Sequence, residues 1–300
     1  NPPDSWVYDV LSRSWILEQF NCLVWHPASE RFDLLLGRLF KTAAPMTESL
    51  NGRPPIAAFV LGGAGLLVVL YGGLQAAGTL LTLPAAEWAR IGVGTLATMG
   101  RVIVALIIAL AWTLPLGVLI GTNRRLAATL RPAVQIIASV PATALFPVLI
   151  MILIQMRGGL ELAAILLMLM GTQWYLLFNI IAGASAIPQD LNYTTRLLQL
   201  KGWDYWRTLL LPALFPYLIT GLITAGGGAW NASIVAEHVV FGGQTYNTVG
   251  VGALISEATA HGNYPVLLAS TLTLIITVVM INRVFWRRLY LLAEEKYRLE

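Results

Sequence analysis

Residues 159–183 read GLELAAILLMLMGTQWYLLFNIIAG, and the only ionisable carboxyl in them, Glu161, stands near the start. An α-helix needs about 20 mostly apolar residues to cross the hydrocarbon core of a bilayer, and this run supplies them. Apolar and polar residues do not alternate along it, as they would in a strand of a membrane barrel. The stretch reads as a transmembrane helix.

Working outward, five more such runs flank it. The first covers 56–72, after Pro55. The second covers 97–121 and contains Arg101 and Pro115. The third covers 133–155, with Pro141 and Pro147. The quoted run, taken as 160–183, is the fourth. The fifth, 212–236, is rich in glycine at Gly226, Gly227 and Gly228, and the sixth covers 264–285. The pattern predicts an all-α integral membrane protein with about six transmembrane helices. Composition agrees, with 57% hydrophobic and 11% charged residues and a mean hydropathy of +0.71. Soluble domains carry about 25% charged residues. Lipid is therefore an implied partner. The formal charge of +4 sits in short clusters between apolar runs, which argues against a nucleic-acid partner.

Three parts follow along the chain. Residues 1–55 predict a cytoplasmic or interfacial linker of amphipathic helices, one capped at Asp4 or Ser5 and one at Ser29, closed by Pro54-Pro55. Residues 56–285 form the transmembrane domain, and 286–300 a basic tail. Cys22 is the only cysteine, so an intramolecular disulfide is excluded. The chain opens at Asn1 without an initiator Met and reads as a piece of something longer.

Lys and Arg set the orientation. One side receives Arg124, Arg125 and Arg131, then Arg196, Lys201 and Arg207, and both chain ends with their basic residues. Only Arg90 and Arg157 face the other. Both termini are expected in the cytoplasm of a multi-pass protein of the bacterial inner membrane.

Between the fourth and fifth spans lies a cytoplasmic loop, 184–211, within QDLNYTTRLLQLKGWDYWRTLLLPALFPYLITG (189–221). A helix is predicted from Leu191, interrupted at Gly202. A second amphipathic helix carries Trp203, Trp206, Leu209 and Leu210, and Leu211-Pro212 opens the next span. Spacing alone fits both a helix half-sunk in the membrane interface and one docked in a groove of a soluble partner.

Residues 95–240 resemble the permease domain of binding-protein-dependent ABC importers, in the nitrate, sulfonate and taurine branch. The resemblance rests on Thr95-Leu96 with Arg101, on Pro115-Leu116-Gly117, and on Pro141, Ala144 and Pro147. Ala229-Trp230, Val235-Ala236-Glu237 and the Leu209-x-Leu211-Pro212 loop ending complete it. The family loop places Glu-Ala-Ala where this chain has Tyr193, Thr194 and Thr195, and Gly where it has Gln199. Those four positions depart from the pattern, with Gly202 nearby. The resemblance implies a type I permease bundle and an ATPase-coupling loop carrying Tyr193, Thr194, Thr195, Gln199, Gly202, Trp203, Trp206, Leu211 and Pro212. It also implies a cytoplasmic ABC ATPase dimer, a periplasmic or lipid-anchored solute-binding protein, and a second permease domain. That domain is either a copy of this chain or a fused N-terminal half, this chain being the C-terminal half of a duplicated anion permease. ATP and magnesium belong to the ATPase, so no cofactor and no enzyme activity are expected of this chain. The implied act is import of a small anion such as nitrate, a sulfonate or taurine by alternating access. The loop docks with altered contacts, or this half is degenerate.

Polar residues at bilayer depth are default functional candidates. Trp230, Ser233 and Glu237 share a helical face, and with Asn231 and Asn179 they are candidates for a translocation pathway. The structural alternative pairs Glu237 with Arg101 or has it cap a helix at the interface. Asn179 equally suits a bond between helices. Glu257 and His261 read as solvated loop residues, and with His238 they make no metal-ligand spacing. Gly221 and Gly226 to Gly228 read as sites of close helix approach. The chain lacks a Gly-x-x-x-x-Gly-Lys-Ser/Thr loop and a Gly-x-Ser-x-Gly elbow. A gradient-driven secondary transporter and a non-transporting half-subunit are the rival functions.

Overall fold

A computed structural model describes residues 56–296. The amphipathic linker read over 1–55 lies outside the described residues. The chain divides into two compact units, 1–67 and 68–300. The described part of the first is the opening of helix α1 (Ile56–Leu81). The second contains α2 (Ala85–Thr122), α3 (Arg124–Ala138), α4 (Ala142–Leu153), α5 (Gly159–Ala186) and α6 (Gln189–Leu197). After α6, α7 (Gly202–Tyr205) runs through a π-helical turn (Trp206–Leu210) into α8 (Leu211–Ala236). A hairpin of β1 (His238–Phe241) and β2 (Gln244–Asn247) follows, then α9 (Val251–His261). The last stretch is α10 (Tyr264–Ile281), a second π-helical turn (Asn282–Trp286) and α11 (Arg287–Lys296).

Among the described residues, five helices are long and apolar enough to span a membrane, and α3 with α4 supplies a sixth only as a bent pair. The span expected over 133–155 is not one straight helix but the end of α3 followed by α4. The chain turns by 73° between α3 and α4. Pro141 has no N–H to donate and disfavours helical backbone at Val140. It sits extended, at φ −63° and ψ 120°, and α4 restarts after it. The start of α3 is set by Asn123, whose side chain accepts from the backbone N–H groups of Arg125 and Leu126.

Helix α2 begins twelve residues before the expected span and has 38 residues. At 1.5 Å per residue it is about 57 Å long, against a hydrocarbon core of about 30 Å. Its first turns, with Glu87 and Arg90, therefore extend beyond that core. The sixth span also runs on, because α10, the π turn and α11 form one helix from Tyr264 to Glu295. Residues 287–296 of the basic tail are thus helical, and α11 packs against α8.

Helix α5 is the centre of the bundle, held between α2 and α8. Leu167, Met168, Leu176 and Ile180 of α5 are buried with Ala105 and Ala109 of α2 and Leu214 of α8. The approach is close because glycines line it. A Cβ on Gly117 would lie 2.6 Å from the Ile180 side chain, and one on Gly121 2.5 Å from Ala184. On the other side Gly183 receives the Tyr217 ring, and Gly221 and Gly228 receive Leu176 and Thr172. Gly226 and Gly227 make no comparably close approach. Outward-facing Ile103, Ile107, Leu119 and Val279 are exposed, as lipid contact demands.

The hairpin was not foreseen. Val239 pairs with Tyr246 and Phe241 with Gln244, closed by Gly242 and Gly243 at φ 60° and 79°. Two consecutive left-handed residues are what a two-residue hairpin turn of the primed type requires, and glycine adopts them without penalty.

Candidate functional site

The most buried charges form one cluster at the end of the bundle where α5 starts and α8 stops. Arg101, sixteen residues into α2, is 6% exposed. It donates from Nε and Nη2 to the two oxygens of Glu161, at 2.5 and 2.8 Å, and from Nη1 to Oε1 of Glu237 at 2.6 Å. Nη2 also reaches the carbonyl of Val249 at 2.8 Å. Glu237 is completely buried. Its Oε1 further accepts from the Thr98 hydroxyl at 2.7 Å, and its Oε2 from the N–H of Gly252 at 2.9 Å. The Thr98 oxygen in turn accepts from the N–H of Val251. Every oxygen of this carboxylate is used, which is the condition for keeping a charge out of water.

Glycines make room for the cluster. A Cβ on Gly250 would collide with the Glu237 carboxylate, and one on Gly252 with the Ser233 carbonyl. The cluster therefore fastens α2, α5, α8 and the start of α9 to one another. Both parts of the structural reading of Glu237 are present: it pairs with Arg101, and it accepts the N–H of Gly252 in the first turn of α9. Thr98, Glu161 and Gly252 were missed. The available signal was that an arginine within a span needs a counter-charge, and Glu161 opens the neighbouring span.

The remaining pathway candidates are dispersed. Ser233 is buried and donates to the Trp230 carbonyl. Asn231 is exposed. Asn179 bonds within its own helix, to the carbonyl of Tyr175 at 2.8 Å, and not to a neighbouring helix. Trp230 borders an apolar groove of about 680 Å³ between α2, α8 and α10, with Leu106, Gly226 and Gly227. Glu257 and His261 lie in α9 and not in a loop, because α9 is a complete helix closed by left-handed Gly262. Glu257 accepts from Arg90 at 2.9 Å.

At the opposite end, the segment between α5 and α8 is structured throughout. The interruption expected at Gly202 spans 198–201, and Gly202 is the first residue of α7. Gln199 is left-handed, at φ 53°, and so is Gly202, at φ 55°. Tyr193, Leu197 and Leu198 are exposed on and just after α6, and Trp203 is 69% exposed on α7. Trp206 points the other way, into the core. Thr195 is buried and bonds the carbonyl of Asn192, while Thr194 bonds that of Asp190. Leu211 and Pro212 open α8 and are half-buried.

A long-helix bundle with a bent third span, a buried charge cluster at one end and an ordered helical excursion at the other is an all-α membrane permease architecture. Over residues 113–293 the chain matches the family described as "Binding-protein-dependent transport system inner membrane component", and it belongs to that family. Its relatives include the nitrate import permease protein NrtB of Leptolyngbya laminosa, 35% identical over 174 residues, which are 58% of this chain and 59% of that protein. The bicarbonate transport system permease protein CmpB of Synechococcus elongatus is 34% identical over 164 residues, 55% of this chain and 56% of that protein. The putative aliphatic sulfonates transport permease protein SsuC of Bacillus subtilis is 28% identical over 145 residues, 48% of this chain and 49% of its own length. The chain thus spans less than two thirds of these curated relatives. Among solved structures, a chain of the MetNI methionine ABC transporter in an inward-facing conformation aligns with a TM-score of 0.57 and 21% identity. It covers 70% of this chain and 99% of its own. That likeness shows the fold.

Proposed function

We propose that the chain is the membrane-spanning permease subunit of an ATP-driven importer for a small anion. The observation that carries the reading is the family match together with relatives named for nitrate, bicarbonate and sulfonate transport. The chain moves solute by alternating access and performs no covalent chemistry. ATP and magnesium are bound by a cytoplasmic ATPase dimer that docks on 184–211. A solute-binding protein delivers the anion on the other side, and a second permease domain, a copy of this chain or a fused half, completes the pathway. The chain lies in the inner membrane with both termini on its cytoplasmic side.

The conformation of the loop supports a docking role over a degenerate one. Gln199 occupies the position of the family glycine and keeps a glycine-like backbone, so the turn survives the loss of the residue that favours it. Tyr193 and Leu197 stand four residues apart on one face of α6, and with Trp203 at the start of α7 they expose an apolar surface. A helix offering such a face suits a groove on a partner.

The test is co-purification of the chain, with any companion permease domain, and its ATPase subunit. Wild type is expected to retain the ATPase, and a Tyr193→Ala, Trp203→Ala variant to lose it while eluting as wild type. Failure of wild type to hold an ATPase under any nucleotide condition would overturn the proposal in favour of a gradient-driven carrier.

A further inference from the structure

Beside α6 lies a second pocket, of about 680 Å³, whose wall is polar and carries no carboxylate. Its principal groups are Arg124 and Arg131 of α3, Arg196, Asn192 and Tyr193 of α6, Ser185 at the end of α5, and Tyr205. Arg124 and Arg131 are seven residues, two helical turns, apart and so share one face of α3. Arg131 is anchored by a hydrogen bond to the Ser185 hydroxyl, whose single proton is directed at the Ile181 carbonyl at 2.7 Å, with the Gly121 carbonyl 3.1 Å away. Tyr205 donates to the side-chain oxygen of Asn192 at 3.0 Å. None of the three arginines makes an ion pair with a carboxylate among the described residues. In the same chain Arg101 takes two carboxylates and Arg90 takes Glu87 and Glu257.

Three exposed arginines line one concavity together with hydroxyl and amide groups, and an anion held there would relieve the repulsion of their like charges. Planar guanidinium forks match the geometry of oxyanions in particular. The volume is within the range of about 300–1,000 Å³ typical of small-ligand sites. We propose that this pocket is a binding site for an oxyanion of the phosphate type, which ties α6 to the α2–α3 corner and the end of α5. The ligand is either a free oxyanion or the phosphate of an anionic lipid headgroup. The cytoplasmic leaflet presents such headgroups to basic residues. The site adjoins the α6 surface proposed above to dock the ATPase, with Tyr193 common to both, and its placement on the cytoplasmic side rests on that proposal.

The experiment uses the full chain, with its companion subunits, in nanodiscs. Inorganic phosphate is titrated calorimetrically into phosphatidylcholine discs, and retained phosphatidylglycerol is counted by native mass spectrometry in mixed discs. Arg131→Gln and Arg196→Gln are expected to weaken binding by about tenfold each, and the double variant to abolish it. Arg125→Gln removes the same charge from the same helix outside the pocket and is expected to bind as wild type. Phosphate binding in phosphatidylcholine discs identifies a free oxyanion, and retention of phosphatidylglycerol alone identifies a headgroup. Arg196 is an exposed residue of a short surface helix, so its variant keeps the test valid should Arg131→Gln fail to fold. The proposal is overturned if neither probe binds, if the pocket variants bind as wild type, or if Arg125→Gln weakens binding equally. It is also overturned if the pocket variants lose only the ATPase subunit.

Discussion

Arg101 and Glu237 lie 136 residues apart in sequence and 2.6 Å apart in space, joined by a hydrogen-bonded ion pair whose carboxylate no solvent reaches. Removing Arg101 leaves Glu237 charged, buried and without a counter-charge, which costs about 3–5 kcal/mol. Arg101→Ala is expected to destabilise the folded protein by about that amount, and Glu237→Ala by less, because Arg101 keeps both oxygens of Glu161. Arg101→Ala combined with Glu237→Ala is expected to cost less than the two single changes together, because the only charge left without its partner is the half-exposed Glu161. Denaturant titration in micelles measures all three, and strict additivity would show that the pair is not a coupled unit.

Arg90 and Glu257 provide the contrast. Their contact is as short, at 2.9 Å, but the side chains are 50% and 38% exposed. Screening by water reduces such a pair to about 0–1 kcal/mol. Arg90→Ala is expected to leave stability within that margin in the same titration. A loss as large as that of Arg101→Ala would mean that α9 is fastened by this contact and not by the buried cluster.

How much of this was legible in the sequence depends on the range of each interaction. The spans were legible because a bilayer leaves no choice but continuous apolar runs closed into helices. The bend of the third was signalled by Pro141 but its size was not, since that depends on what α4 packs against. The partners of Arg101 could not be read, because Glu161 and Glu237 lie 60 and 136 residues away and no local pattern links them. The Gly117-x-x-x-Gly121 and Val239-to-Tyr246 patterns are local and were readable. They were overlooked because the apolar runs dominated the reading. Left-handed Gln199 runs against its own propensity, so only the three-dimensional context reveals it.

Gly117 and Gly121 set the distance between α2 and α5. A methyl group at either would fall inside the van der Waals shell of Ile180 or Ala184, and at Gly121 it would also meet the Ile181 carbonyl, which cannot swing aside. Gly121→Val is therefore expected to cost about 1–3 kcal/mol through overpacking. Gly227, open on all sides within 4 Å, is expected to tolerate Ala. Thermal unfolding of both variants in detergent ranks them, and equal melting points would contradict the packing described.

Gln199 holds a left-handed backbone that costs a side-chain-bearing residue roughly 1–2 kcal/mol. Gln199→Gly relieves that strain while enlarging the freedom of the unfolded chain by about half as much. A net gain of up to about 1 kcal/mol is expected, together with unchanged or firmer retention of the ATPase subunit. If the substitution destabilises the protein instead, the Gln199 side chain contributes contacts that outweigh its backbone strain.

The two ends of the bundle are expected to face opposite sides of the membrane. Helix α5 runs from the Arg101 cluster to the basic pocket and α8 returns, so α9 and α6 are separated by the full span length. In a Cys22→Ser background, Thr259→Cys on α9 is expected to react with a membrane-impermeant thiol reagent in intact spheroplasts. Leu197→Cys, at the end of α6 and 83% exposed, is expected to react only after the membrane is opened. The positive-inside distribution of Lys and Arg predicts that assignment, and the segregation of the clusters requires that the two sites differ. Labelling of both from the same side would break the up-and-down path of the chain. Labelling of Leu197→Cys alone from outside would invert the orientation and remove the ATPase from reach of α6.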